Sequence, residues 1–169
     1  MILQNEINEL DYLITSASRR GLKIVLNPSP MTEALRKLPL ELVDYFVLNE
    51  IEAKDICGTE LPEEEYPNQL QKMYPQAKIV LTLGEKGSIY QDGALRLAQQ
   101  AVRVEAVDTT AAGDMLFYYL IAGIAAGATA KQALRTATCA AAIAVGRKGA
   151  APSIPIKHEV AAFEQETFQ

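Results

Sequence analysis

Histidine is nearly absent from this chain, with one in 169 residues, and cysteine is scarce, with two. The one imidazole, His158, lies between Lys157 and Glu159 near the C-terminal end and reads as a solvated surface group. Histidine-centred catalysis and histidine-rich metal sites are therefore not expected. Cys57 and Cys139 make neither a disulfide framework nor a metal-ligand spacing, which points to a reducing, cytoplasmic compartment. Positive charge is in deficit: 16 Lys and Arg against 21 Asp and Glu leave a net charge of −5, which argues against non-specific nucleic-acid binding. Long apolar runs are missing; the longest candidates are interrupted by Glu, Arg or Gly, so no membrane span is expected. The opening Met1-Ile2-Leu3-Gln4-Asn5-Glu6 has neither the basic head nor the apolar stretch of a signal peptide. Internal repeats, low-complexity segments and interdomain linkers are absent as well. No G-x-x-x-x-G-K-[ST] string occurs, which excludes a P-loop, and no G-x-G-x-x-G occurs, which disfavours a dinucleotide fingerprint.

What is present is the composition of a globular α/β protein, 49% hydrophobic and 22% charged, read as a single domain over residues 1–169. Short β-branched runs predict strands over 2–4, 23–27, 45–48 and 78–83. Helical stretches alternate with them over 10–20, closed by Gly21, over 31–36 and 40–43 around Pro39, over 49–57, closed by Gly58, and over 67–73. Such alternation implies a mainly parallel sheet flanked by helices. The acidic run 63–65 suits the start of the last of these helices through the helix dipole and reads as solvated. After Leu83 the pattern shifts to closely spaced strands over 88–91, 96–99 and 102–107, with Asp92-Gly93 as a hairpin turn. Two Ala-rich helices follow over 112–126 and 130–147. Pro152-Ser153-Ile154-Pro155 then predicts a rigid extended segment, and 160–166 a final helix.

Four segments carry candidate chemistry, and each also has a plain structural explanation. In Asp108-Thr109-Thr110-Ala111-Ala112-Gly113-Asp114, small residues leave the backbone bare where a helix begins. Unpaired amides and the positive dipole end make an anion site there. Asp114 is a residue type able to take a proton from a hydroxyl attacking phosphate, although an Asp in a first helical turn also stabilises a helix with no catalytic role. Asn49 with Glu52 three residues on reads either as a capping box or as a pair ordering water around a magnesium-bound phosphate. Thr82-Leu83-Gly84-Glu85-Lys86-Gly87 is either an ordinary hairpin turn or a place where a flat ligand meets bare backbone. Arg147-Lys148-Gly149 ends a helix and is explained by capping.

Taken in order with Leu26-Asn27-Pro28-Ser29-Pro30, these segments closely resemble the ribokinase-like (PfkB) carbohydrate kinase family, from about Leu3 to the end. The resemblance implies a three-layer αβα fold with a mainly parallel sheet and an antiparallel edge hairpin. It implies ATP-dependent phosphorylation of a sugar hydroxyl, of ribose at its 5-position in the first instance. Asp114 would be the base, and Ala111, Ala112 and Gly113 the anion hole. Asn49 and Thr82, Leu83, Gly84, Glu85, Lys86 and Gly87 would contact the nucleotide, with Glu52 near its Mg²⁺ and Thr138 lining the adenine pocket. Asp108, Thr110, Ala144, Arg147, Gly149 and Ser153 would form a K⁺ site, mostly through backbone carbonyls. Glu6 would be the one sugar contact carried by this part.

Two departures accompany the resemblance. The chain corresponds only to the C-terminal part of the family's length, without the N-terminal lobe and lid that hold most sugar contacts. Weak or no sugar kinase activity of the isolated chain is therefore expected, as is self-association through an exposed sheet edge. In addition, Leu116 and Tyr118 stand where the family has Phe and a small residue. Tyr118 is expected either to shift the helix, to crowd the turn beneath Asp114 or to fill a void. The alternatives are a non-catalytic nucleotide-binding or interaction module, and a kinase for another hydroxylated substrate such as fructose, a nucleoside or hydroxymethylpyrimidine.

Overall fold

The computed structural model describes residues 1–168. They fall into two compact units, one of Met1–Leu83 with Ile89–Leu97, the other of Gly84–Ser88 with Ala98 onward.

The first unit is built on a sheet in the order β1-β2-β3-β4-β5-β6, with β1 (Ile2–Gln4), β2 (Val25–Asn27), β3 (Tyr45–Asn49), β4 (Lys78–Thr82), β5 (Ser88–Asp92) and β6 (Leu95–Gln99). The first four strands are parallel, pairing Gln4 with Asn27, Leu26 with Phe46, and Asn49 with Thr82. The links from β4 to β5 and from β5 to β6 are too short for crossovers, so these strands turn back antiparallel. Three helices serve the parallel crossovers: α1 (Leu10–Arg19), α2 (Glu50–Cys57) and α3 (Tyr66–Met73). Strand order follows chain order and such crossovers share one hand, so all three helices lie on the same face of the sheet.

Alternation along the strands sorts the side chains. Leu26, Phe46, Leu48, Ile79 and Leu81 join Leu10, Ile14, Ile56 and Leu70 in one core. Their neighbours Val25, Tyr45, Val47 and Val80 point to the other face and are buried too. Burial on both faces is why these strands read as continuous apolar runs.

The second unit is helical: α4 (Ala112–Ala125), α5 (Ala130–Val145), the short α6 (Ala150–Ser153) and α7 (Lys157–Thr167). Met115, Cys139, Ala140, Ala144 and Val160 form its core, and the small residues of α5 permit close approach. Gly123 shows how close: a Cβ there would lie 3.1 Å from Ala133 Cβ.

The α/β class, the mainly parallel sheet and the antiparallel edge hairpin agree with the sequence reading. Four local expectations need correction. Residues 102–107 alternate in hydropathy but form no strand. Alternation stabilises a strand only beside a partner, and the backbone here is tied instead by the Val107 amide donating to the Val145 carbonyl. Residues 152–155 are not extended throughout, because Pro152 and Ser153 close α6, where the Ser153 hydroxyl donates to the Ala150 carbonyl (2.7 Å). Lys23 and Ile24 do not extend β2: the Ile24 amide donates to the Asp44 carboxylate (2.9 Å) rather than to a strand. The helix expected over 31–36 reduces to a 3₁₀ turn, Leu35–Lys37. Among the described residues, no helix is long and apolar enough to cross a membrane.

Candidate functional site

Parallel strands present their C-terminal ends along one edge of the sheet, where open α/β sheets hold ligands. In the first unit that edge carries the turn after β1 with Glu6 exposed, then Asn27, Asn49 and Thr82 at the ends of β2, β3 and β4. Asn49 and Thr82 are direct register partners, and the Thr82 hydroxyl donates to the Leu48 carbonyl (3.4 Å). Leu83 follows, packed against the core.

Asn49 is the N-cap of α2. Its Oδ1 accepts the Glu52 amide (2.9 Å), and the Glu52 carboxylate accepts the Asn49 amide (2.9 Å). The capping-box reading therefore holds. Only 6% of Glu52 is exposed, yet its carboxylate lies beside the strand-end edge. A buried carboxylate held by a backbone donor is suited to ordering a hydrated Mg²⁺ from a distance. Among the described residues no group of three or more His, Cys, Asp or Glu could hold a metal ion by itself. A divalent ion here would depend on the phosphates it accompanies. Asn27, which the sequence reading left without a role, accepts the Ser29 amide (3.0 Å) before a cis Ser29–Pro30 bond. The Asn-Pro-Ser-Pro string was the signal available for this turn.

The second unit carries the remaining candidates. The turn Gly84–Lys86 is exposed, and the Gly87 amide donates to the Gly84 carbonyl (3.1 Å). Gly87 has φ +103°, and a Cβ there would run into the Gln99 carbonyl and the Ala101 amide. Glycine is thus required at Gly87 by close backbone approach.

The turn into α4 is organised by Asp108. One carboxylate oxygen accepts the Thr110 hydroxyl (2.6 Å) and the Thr110 amide (3.0 Å); the other accepts the Gly149 amide (2.9 Å). These bonds, the Thr110 hydroxyl foremost, hold the Asp108 carboxyl below its ordinary range. The Val145 carbonyl accepts the amides of Val107 (2.9 Å) and Asp108 (3.1 Å), so the segment entering α4 is joined to the end of α5 twice over. Beyond this turn, Ala111 precedes α4 with no side-chain cap, and Asp114 sits exposed in its first turn. The amides of a first helical turn have no intrahelical acceptor. Ala111 is buried and the Ala112 amide donates to the Thr109 carbonyl (3.2 Å), so the exposed part of this uncapped start is Gly113 and Asp114, where backbone and carboxylate can meet an anion and a proton.

The sequence-derived cation residues are brought together only in part. Thr110 and Gly149 both donate to Asp108, and the Arg147 amide donates to the Ala144 carbonyl (3.0 Å). Ser153, buried, bonds within its own short helix. All the candidate donors are oxygens, a set that fits a hard cation. Thr138 is buried in α5, and its hydroxyl donates to the Leu134 carbonyl (2.9 Å), leaving a methyl to line any neighbouring surface.

α4 runs unbroken through Ala112–Ala125, and Tyr118 on it does not fill an interior void. It is 41% exposed, tilted against the Phe117 ring at 4.9 Å, whereas Leu116 is buried. Glu159 was missed by sequence reasoning. It accepts the Ile156 amide (2.8 Å) at the start of α7 and pairs with Arg147. A Glu three residues after the position before a helix was the only signal.

Comparison with known proteins brings these observations together. The profile of the pfkB family of carbohydrate kinases matches residues 7–157. The chain is 32% identical over 167 residues to ribokinase of Haemophilus influenzae, covering 96% of this chain and 54% of that protein. It is 33% identical over 170 residues to ribokinase of Schizosaccharomyces pombe, covering 95% and 53%. Among solved structures, ribokinase from Thermotoga maritima superposes with a TM-score of 0.85 at 29% identity, covering 97% of this chain and 56% of that one. Ribokinase of Arabidopsis thaliana complexed with ribose and ATP superposes with a TM-score of 0.86 at 26% identity, covering 97% and 55%. The chain spans about half the length of the curated relatives it matches.

Proposed function

The chain belongs to the pfkB family of carbohydrate kinases, and we propose that it carries the nucleotide-binding and proton-abstracting part of an ATP-dependent sugar kinase. The observation that supports this most is the uncapped start of α4, with Asp114 in its first turn and Asp108 fixing the turn before it. In this reading the amides of Ala111 and Gly113, and that of Ala112 once it leaves the Thr109 carbonyl, receive the negative charge of the transferring phosphoryl group. Asp114 takes the proton from a sugar hydroxyl. The hydroxyl oxygen bonds to the γ-phosphorus of ATP as the bond to the β–γ bridging oxygen breaks, releasing ADP.

Asn49, Thr82, Leu83, Gly84, Glu85, Lys86, Gly87 and Thr138 bind the nucleotide. Glu52 orders the water of its Mg²⁺, which neutralises phosphate charge when bound. Asp108, Thr110, Ala144, Arg147, Gly149 and Ser153 hold K⁺ or a similar monovalent cation that orders the turn. Glu6 contacts the sugar. Ribose is the proposed acceptor, a choice supported by the ribokinase relatives, one of them solved with ribose and ATP.

The half-length match supports a second reading, in which the chain binds nucleotide without catalysing transfer. Calorimetric titration separates the two. The kinase reading expects binding of Mg–ATP and of ribose, with slow formation of ribose 5-phosphate in a coupled assay. The module reading expects nucleotide binding alone. Absence of nucleotide binding under all conditions overturns both.

We also assign to the chain a cytoplasmic setting, in which its unpaired thiols Cys57 and Cys139 stay reduced, and self-association through the open edge of β1, where Met1 and Ile2 are exposed. A monodisperse monomer in sedimentation excludes that association.

A further inference from the structure

Two ion pairs reach α7, one from α5 and one from the connection that follows it, and they are close to matched. Arg135 Nε lies 3.1 Å from Glu164 Oε1, at an angle too poor for a hydrogen bond, with side-chain exposures of 37% and 23%. Arg147 Nη2 lies 2.7 Å from Glu159 Oε1, with exposures of 36% and 35%. Each has further ties. The Thr136 hydroxyl donates to Glu164 (2.8 Å), and the Arg135 guanidinium lies over the Phe168 ring at 4.1 Å. Glu159 receives the second Arg147 nitrogen (3.4 Å) and the Ile156 amide (2.8 Å).

Their places along the chain differ. Arg135 and Glu164 connect helix interiors. Arg147 and Glu159 close the connection that leaves α5 and enters α7, and this connection contains Gly149. Gly149 donates to Asp108, and Asp108 holds Thr110 at the threshold of α4. A second strut fixes the same connection from α4: the Tyr119 hydroxyl donates to the Pro155 carbonyl (2.6 Å). Gly149 itself sits at φ +84°, a backbone state that the rest of the connection must hold in place.

We propose that Glu159 is a positioning residue: by clasping Arg147 and the Ile156 amide it sets the Gly149 amide against Asp108, and so fixes the turn that presents the first amides of α4 to phosphate. The path is a contiguous set of short polar contacts within one unit, which is what transmission of position requires. The proposal rests on the reading of α4 as the phosphate site, and its test keeps the two apart.

Amide hydrogen exchange is measured on the full chain without ligand, in wild type, Glu159→Gln and Glu164→Gln. The expected result is exchange at Thr110 and Gly149 faster by about tenfold in Glu159→Gln and unchanged in Glu164→Gln. Unchanged exchange at both amides in Glu159→Gln overturns the proposal. So does equal acceleration in both variants, which would reflect loss of stability alone. Titration with Mg–ADP then reads the consequence: affinity falls severalfold in Glu159→Gln, is preserved in Glu164→Gln, and recovers in part in Glu159→Asp. If the wild type binds no nucleotide, the phosphate-site reading fails, while the exchange data still decide the coupling. If nucleotide affinity is equal in all the chains, the positioning role is refuted and the phosphate site stands.

Discussion

α2 and α4 both begin at segments singled out for phosphate chemistry, and they begin in opposite ways. At α2 the chain closes its own helix end: the Asn49 side chain takes one amide, the Glu52 side chain takes another, and Gly58 ends the helix in a left-handed conformation. At α4 no side chain caps the first turn, and the Thr110 hydroxyl donates back to Asp108 instead. Asp108 faces Thr110 and Gly149 rather than the helix ahead of it. A helix start can thus be completed by its own side chains or prepared for something else. The difference lies in which amides the nearby carboxylates reach. At α4 the Ala112 amide returns to the Thr109 carbonyl (3.2 Å), and the other first-turn amides have no acceptor within the helix and look to water or a ligand, which is the arrangement expected of a binding surface.

Four experiments break or sharpen this contrast. The largest effect is expected at Asp114. Asp114→Asn should lower whatever ATP-dependent ribose phosphorylation the chain shows by about 10²–10⁴-fold, the range for loss of a general base. Loss of the dipole contact should cost only about 0.3–1 kcal/mol of stability. Turnover in a coupled assay and urea unfolding read the two, and unchanged turnover would remove Asp114 from the base role.

Next is Ala112→Glu, which places a negative charge in the open first turn. It should stabilise the fold by about 0.3–1 kcal/mol and weaken Mg–ADP binding by about tenfold or more, because like charges a few ångströms apart near a surface repel by up to roughly 4 kcal/mol. A gain in stability with unaltered affinity would mean that the α4 start is structural only.

The closed start should respond in the other sense. Asn49→Ala should lower unfolding stability by about 0.5–2 kcal/mol through loss of the cap. A fall in nucleotide affinity measured on the still-folded variant would show that the box faces a ligand as well as its helix.

The smallest effect concerns pH. The folded-state pKa of Asp108 is lowered, so its ties to Thr110 and Gly149 stabilise the turn above the ordinary value of 3.8 and are lost as pH falls through the lower folded value. In an NMR titration the Gly149 and Thr110 amides should shift together with a midpoint below 3.8. A midpoint at or above that value would mean that the ties contribute nothing.

Legibility in the sequence followed the range of the interaction. The parallel strands were readable because Phe46 to Leu48 and Ile79 to Leu81 must be buried on both faces, and burial writes itself as an apolar run. Gly58 and Gly93 were readable because each marks a turn with positive φ in its own neighbourhood. The Asn49–Glu52 box was readable because its partners stand three residues apart. The strand expected over 102–107 failed for the opposite reason: local alternation was present, but a strand also needs a neighbour. Lys23 and Ile24 failed because Asp44, about twenty residues away, takes the Ile24 amide.

By itself, then, the sequence determined the α/β class, the order of the strands along the chain and the helix stops at Gly21 and Gly58, and it singled out the segments proposed for phosphate chemistry. All of these rest on periodicity, on capping within one turn, or on motif order. Only the tertiary structure decided what those residues do to one another. It turned Asp108 away from α4 and onto Gly149, it exposed Tyr118 rather than burying it, and it brought Glu159 to Arg147. Each of these depends on where a residue distant in sequence arrives in space, and no local pattern encodes that position.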